Sequence, residues 1–168
     1  MKTETIRLML DYHIWANRQL WDCIESLSDE QFTQEHGHSI GSVHNQAFHL
    51  MFTDWYTMVW LEGRVPAKDD PAFLNQESYP DRIMIREKWD KLEGDLNAFV
   101  ESLTDEKLAE AMTVPMGDDV EFDTNWGEIL LTTVNHGTNH RAQTLSVINE
   151  LGGETVEQGL FFYLMQRS

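Results

Sequence analysis

The stretch Asn125-Trp126-Gly127-Glu128-Ile129-Leu130-Leu131-Thr132-Thr133-Val134-Asn135-His136-Gly137-Thr138-Asn139-His140-Arg141-Ala142-Gln143, running on to Leu151 and the Gly152-Gly153 pair, decides the fold. Trp126, Ile129, Leu130, Thr133, His136, Gly137, His140, Thr144, Val147 and Leu151 fall on one broad face at a period near 3.6, the pattern of a helix laid against a core. Asn125 is placed to cap its start, with Glu128 three residues on as in a capping box, and the glycine pair stops it. His136 and His140 share the inward face one turn apart, because side chains at i and i+4 stack. Gly137 on that face permits close approach of another element. Arg141 is turned about 100° from His140 and reads as a surface or interface ion-pair residue.

Working outward, three more segments carry helical periodicity. The first runs from about Thr3 to Leu27, with Ile6, Met9, Leu10, His13, Ile14, Asn17, Leu20, Trp21 and Ile24 at helical spacing. A second starts at Ser42, a natural N-cap, and ends at Gly63 and Pro66; Asn45, His49, Phe52, Tyr56 and Val59 form its inward face. The third follows Pro80 on the stripe Ile85, Trp89, Leu92, Leu96, Phe99 and Leu103. The run Glu25 to Phe32 recurs weakly as Glu101 to Leu108, and in each copy Ser28 or Thr104 caps a short helical turn. Either chance similarity at helix ends or two helix pairs packed face to face explains this; the second gives an all-α four-helix bundle in one domain, residues 1–168. β-Branched alternation is scarce, so no sheet is expected. Gly63 to Tyr79 and Met112 to Thr124 read as loops. Leu160-Phe161-Phe162-Tyr163-Leu164-Met165 is too apolar to stay in water and must pack on the bundle or on a second subunit.

The 168 residues carry 12 basic and 29 acidic side chains, a formal net charge of -17. That surface repels phosphate backbones and anionic lipid, which argues against nucleic-acid and membrane partners. Cys23 stands alone in a helical stretch, so it reads as a small buried apolar residue in a reducing compartment. With no signal peptide pattern and no uncharged apolar span, the cytoplasm is expected.

Two buried neutral imidazoles must be hydrogen-bonded or metal-bound. On spacing alone both readings of His136 and His140 stand, because H-x-x-x-H lacks the glutamate of the zincin motif. His49 on the facing helix adds a third imidazole. Three histidines without a carboxylate or thiolate suit Zn²⁺, Ni²⁺, Fe²⁺ or Mn²⁺. His44 points elsewhere, and His36 and His38 are expected in a solvated loop. His13 and Asn17, one turn apart on the first helix, either line the cavity or hold a ligand histidine. Gln143 is placed either to bond a metal-bound water or substrate or to serve packing alone.

Tyr12-His13-Ile14-Trp15-Ala16-Asn17, His49 early in the second helix, the H-x-x-x-H-R-x-Q pattern from Asn135 to Gln143, the Gly152-Gly153 turn and the Phe161-Phe162-Tyr163-Leu164 ending together resemble the DinB/YfiT-like proteins. The resemblance covers nearly the whole chain in matching order. It implies an up-down-down-up four-helix bundle, frequent dimers and a divalent metal on His49, His136 and His140. Ala142 departs from it, where many members have glycine. Members with assigned activities include transferases and isomerases that use low-molecular-weight thiols such as bacillithiol, mycothiol or glutathione.

Three function classes follow. The leading one is a metal-dependent S-transferase, in which the cosubstrate thiol is the nucleophile toward a small electrophile. A metal-dependent hydrolase would need a general base, for which Glu121 or Glu128 at a loop rim are the candidates. The third is a non-catalytic, metal-binding dimeric module expressed under stress.

Overall fold

A computed structural model describes the whole chain except His38, residues 65–71, residues 116–119 and Ser168. Its long helices are α1 (Thr3–Glu25), α3 (Val43–Leu61), α4 (Arg82–Ser102) and α6 (Trp126–Glu150). Short helices α2 (Asp29–Thr33) and α5 (Asp105–Leu108) follow α1 and α4, and α7 (Leu160–Arg167) closes the described chain. The recurring segment is structurally parallel: Ser28 accepts from the Gln31 amide at the start of α2, and Thr104 accepts from the Lys107 amide at the start of α5. Ser42 caps α3 through the Asn45 amide and Asn125 caps α6 through the Glu128 amide, each supplying one of the acceptors that a helix start lacks. The Glu128 carboxylate accepts from Thr124 Oγ1 instead of completing the box.

Cross-helix pairings set the topology. Tyr12 meets Thr138 and Asn17 meets Arg141, so α1 and α6 run parallel. His44 reaches Tyr79 and Asp54 meets Trp89, so α3 and α4 are parallel too. Arg7 binds the Val100 carbonyl while Arg18 binds Glu93, which makes α1 antiparallel to α4. Gln46 pairs with His140 and Thr57 with Thr133, which makes α3 antiparallel to α6. The result is the up-down-down-up bundle. Leu20, Ile24, Met51, Ile85 and Trp89 fill one half of the interior; Ile6, Leu10, Leu96, Leu130 and Val134 fill the other. Cys23 is buried, as an apolar filler would be.

Three expectations need correction. A two-stranded antiparallel sheet exists, β1 (Ala111–Pro115) with β2 (Glu121–Asn125), so both ends of the 112–124 segment are paired strands and not loop, while its middle lies outside the described residues. Each strand has five residues, of which Val114 is fully buried, too short a run for alternation to register. His36 is not solvated: its side chain is 12% exposed, with Nδ1 3.9 Å from the Glu150 carboxylate. His38 and the middle of the 63–79 segment lie outside the described residues. The stripe Asn45, His49, Phe52 and Tyr56 is half-buried, not central, because α3 packs on both α4 and α6 and sinks Gln46, Ala47, Leu50 and Met51 deepest. The apolar tail packs on the bundle: Tyr163 stacks with Tyr12 and Trp15, and Trp15 Nε1 donates to Gln166 at 3.1 Å.

Candidate metal centre

Antiparallel packing of α3 on α6 brings His49 opposite His136 and His140. Their ring centroids lie 4.3 to 5.1 Å apart, and Nε2 of His49 is 2.9 Å from Nε2 of His136. One nitrogen from each ring falls within 4.8 Å of the others. Burial, followed by repulsion from His140 and His136, lowers the pKa of His49 to about 4. Burial also pulls His136 and His140 below their ordinary value. All three rings are therefore neutral at pH 7, the form that offers a lone pair to a cation. Their donor set, nitrogen only, fits a borderline divalent ion.

Gln46, which the sequence reading passed over, fixes one of these rings. Its side-chain oxygen lies 3.2 Å from Nδ1 of His140 and is fully buried. An amide oxygen can only accept, so the His140 proton sits on Nδ1 and the Nε2 lone pair is left free. Gln46 Nε2 donates in turn to Ser39 Oγ, and Ser39 donates to Gln143 Oε1. Gln143 thus ends a hydrogen-bonded chain that leads to a histidine.

Behind the cluster lies a buried polar network. Asp54 accepts from Nε2 of His13 at 2.9 Å, from Trp89 Nε1 at 2.9 Å and from Asn17 at 3.3 Å. Arg141 donates to Asn17 Oδ1 at 2.8 Å and approaches Nδ1 of His13 at 3.2 Å, while its Nε donates to Gln158 at 2.7 Å. Arg141 is wholly buried, which overturns the surface reading. The wheel angle was right, but α1 lies where solvent was expected. Gly137 makes room for it: a Cβ there would sit 2.5 Å from His13 and 2.8 Å from Arg141. His13 and Asn17 point inward as expected, and their hydrogen bonds go to Asp54 and Arg141 and to each other, not to His49, His136 or His140.

Two clefts flank the histidines. One, about 380 Å³, has His49 in its wall with Phe48, Phe52 and Phe73 and the amides of Asn45, Asn75 and Gln76 at its rim. The other, about 240 Å³, has His136 in its wall and runs along the α3–α6 seam toward Trp60. No charged side chain lines either cleft among the described residues. His44 bonds the Tyr79 carbonyl and stays apart from the three rings, as expected. Glu121 and Glu128 are exposed, and Glu128 lies two turns, about 12 Å along the axis, from His136.

The sequence model of the DinB family matches residues 1–165. This chain belongs to the DinB family. Among solved structures, a DinB-like protein from Bacillus subtilis superposes with a TM-score of 0.63 at 13% identity, covering 89% of this chain and 95% of its own. A DinB-like protein from Bacillus cereus gives 0.59 at 20% identity, covering 89% and 94%. The colibactin self-resistance protein ClbS, solved in complex with double-stranded DNA, gives 0.56 at 13%, covering 86% and 93%. At these identities the likeness is one of fold. No curated protein matches the sequence. No helix among the described residues is long and apolar enough to cross a membrane.

Proposed function

We propose that this DinB-family protein holds one divalent metal, Zn²⁺, Ni²⁺, Fe²⁺ or Mn²⁺, on His49, His136 and His140, and joins a low-molecular-weight thiol to a small electrophile as a metal-dependent S-transferase. The observation that carries this reading is the convergence of three neutral imidazoles between two uncharged clefts. A divalent ion on three neutral ligands keeps its full charge and favours the ionised form of a thiol or water beside it.

The chain's own residues orient and enclose. Gln46 holds the His140 tautomer, and the clefts admit two uncharged groups, one at His49 and one at His136. The chain's one cysteine is not poised as a nucleophile: Cys23 is buried within α1 and its thiol pKa is raised, first by desolvation. A thiol cosubstrate fills that role. A hydrolase would need a general base, and the exposed, remote Glu121 and Glu128 do not support one. Small-molecule partners fit the clefts, and the -17 charge argues against nucleic acid for this chain, although ClbS was solved with DNA. We place the protein in the cytoplasm, as a homodimer acting in a stress response and working as one domain; the lone reduced Cys23 and the exposed face of α7 support the compartment and the dimer.

The test is a screen of metal-reconstituted protein with bacillithiol, mycothiol and glutathione against a fluorogenic electrophile. Adduct formation above background is expected with at least one thiol, and its loss in His49→Ala. Adduct formation that survives metal removal would contradict the reading.

A further inference from the structure

We infer that the ligand meeting these histidines carries an uncharged apolar body, about the size of an aromatic ring, seated between α3 and α6 on the Trp60 side of His136. The inference rests on the metal-centre reading only for what the ligand's head does. The body's seat is the cleft of about 240 Å³ described above.

Its walls include four threonines, which by residue type would make a polar site. Each hydroxyl is turned back onto its own helix. Thr53 Oγ1 donates to the His49 carbonyl at 2.9 Å and Thr57 Oγ1 to the Thr53 carbonyl at 2.9 Å. On α6, Thr132 donates to the Glu128 carbonyl at 2.8 Å and Thr133 to the Ile129 carbonyl at 3.1 Å. Thr57 and Thr133 also meet at 2.8 Å, where one hydroxyl donates to the other, so only one of these two donates fully to its own backbone and both oxygens stay engaged. With the oxygens engaged against backbone, the γ-methyl groups are the parts left to face a ligand. Tyr56, Trp60 and Ile129 complete a mainly apolar surface, whose one buried polar atom without a partner among the described residues is Trp60 Nε1.

The charge pattern gives the class. The chain carries 12 Lys and Arg and 29 Asp and Glu side chains, yet among the described residues none of them lines this cleft. A charged body entering it would lose hydration and gain no counter-charge. A dry apolar cavity of roughly 150 Å³ suffices for benzene, so this one takes a ring with a short linker to the head. The cleft at His49 differs in kind, since Asn75 and Gln76 keep amide groups for a polar partner, while the Asn45 amide is taken up by Gln76, Glu35 and the Ile40 carbonyl. The apolar body therefore belongs on the Trp60 side.

Cobalt-reconstituted full-length protein, titrated with imidazole, 4-phenylimidazole and imidazole-4-acetate and read from the visible absorption of the metal, tests this. The phenyl derivative is expected to bind at least tenfold tighter than imidazole, from burial of its ring, and the acetate no tighter than imidazole. Thr132→Trp, at the exposed mouth, is expected to bring the phenyl-to-imidazole ratio close to one. Equal affinities in the parent protein, tighter binding of the acetate, or a ratio that survives Thr132→Trp would overturn the inference. If no cobalt is taken up, calorimetry with the same probes separates the two readings. Binding of 4-phenylimidazole that Thr132→Trp abolishes would uphold the cleft and overturn the metal; no binding would overturn both.

Discussion

At the scale of single residues, the centre depends on side chains that carry no motif. Gln46 is a glutamine in an unremarkable run, yet its oxygen sets which nitrogen of His140 carries the proton. Removing such a partner lowers metal affinity about 10- to 100-fold. Gln46→Ala is accordingly expected to weaken metal binding by that factor in a chelator competition while His140 remains in place; an unchanged affinity would show that the hydrogen bond does not act on the ring. Arg141 teaches the opposite lesson. A basic residue 100° off a core stripe reads as surface-facing only if one partner helix is assumed. With α1 and α3 both packed on α6, two directions are interior, and Arg141 joins Asp54 through His13 and Asn17. His49, His136 and His140 were legible because a four-residue interval on a helix fixes a shared direction. Gln46, Ser39 and Asp54 were not, since their roles depend on which helices meet.

At the scale of elements, α6 supplies two of the three imidazoles and α3 the third, so the site is a property of one helix pair. Its protonation follows. His49 falls from 6.5 to about 4 in the folded chain, and His136 and His140 also fall. An unfolded chain binds these protons first as pH drops, so stability of the metal-free protein is present above 6.5 and is lost as pH falls from 6.5 toward 4. In the folded protein the depressed values mean that protons compete less with metal. Metal affinity is expected to stay flat as pH falls to 6.5 and to decline only in more acid solution, as read by competition titrations at a series of pH values. A decline beginning above 6.5 would contradict the depressed values. Long periodic helices and their caps at Ser42 and Asn125 were readable from sequence, because 3.6-residue recurrence accumulates over many turns. The β1–β2 hairpin was not, because five residues per strand give two alternations at most.

At the scale of the whole molecule, up-down-down-up order sets α3 antiparallel to α6, with one cleft in their seam at His136 and the other beside α3 at His49. The same packing leaves α7 half-covered: Tyr163 is held by Tyr12 and Trp15, while Phe161 and Met165 are 68% and 60% exposed. An apolar face of that kind on a chain of net charge -17 is suited to a second copy, with like-charge repulsion opposing association at low salt. Sedimentation is expected to give a dimer that tightens with salt, and a monomer for Phe161→Asp combined with Met165→Asp. An unchanged mass in that variant would place any dimer contact elsewhere.

The central claim is that His49, His136 and His140 form one metal site in a bundle that does not need the metal to fold. Elemental analysis of purified, metal-reconstituted protein, beside the His136→Ala/His140→Ala double variant, measures it directly. About one divalent ion per chain is expected in the parent and none in the variant, with helical content retained because the apolar core supplies most of the stability. Negligible metal in the reconstituted parent, or full occupancy in the variant, would contradict the account.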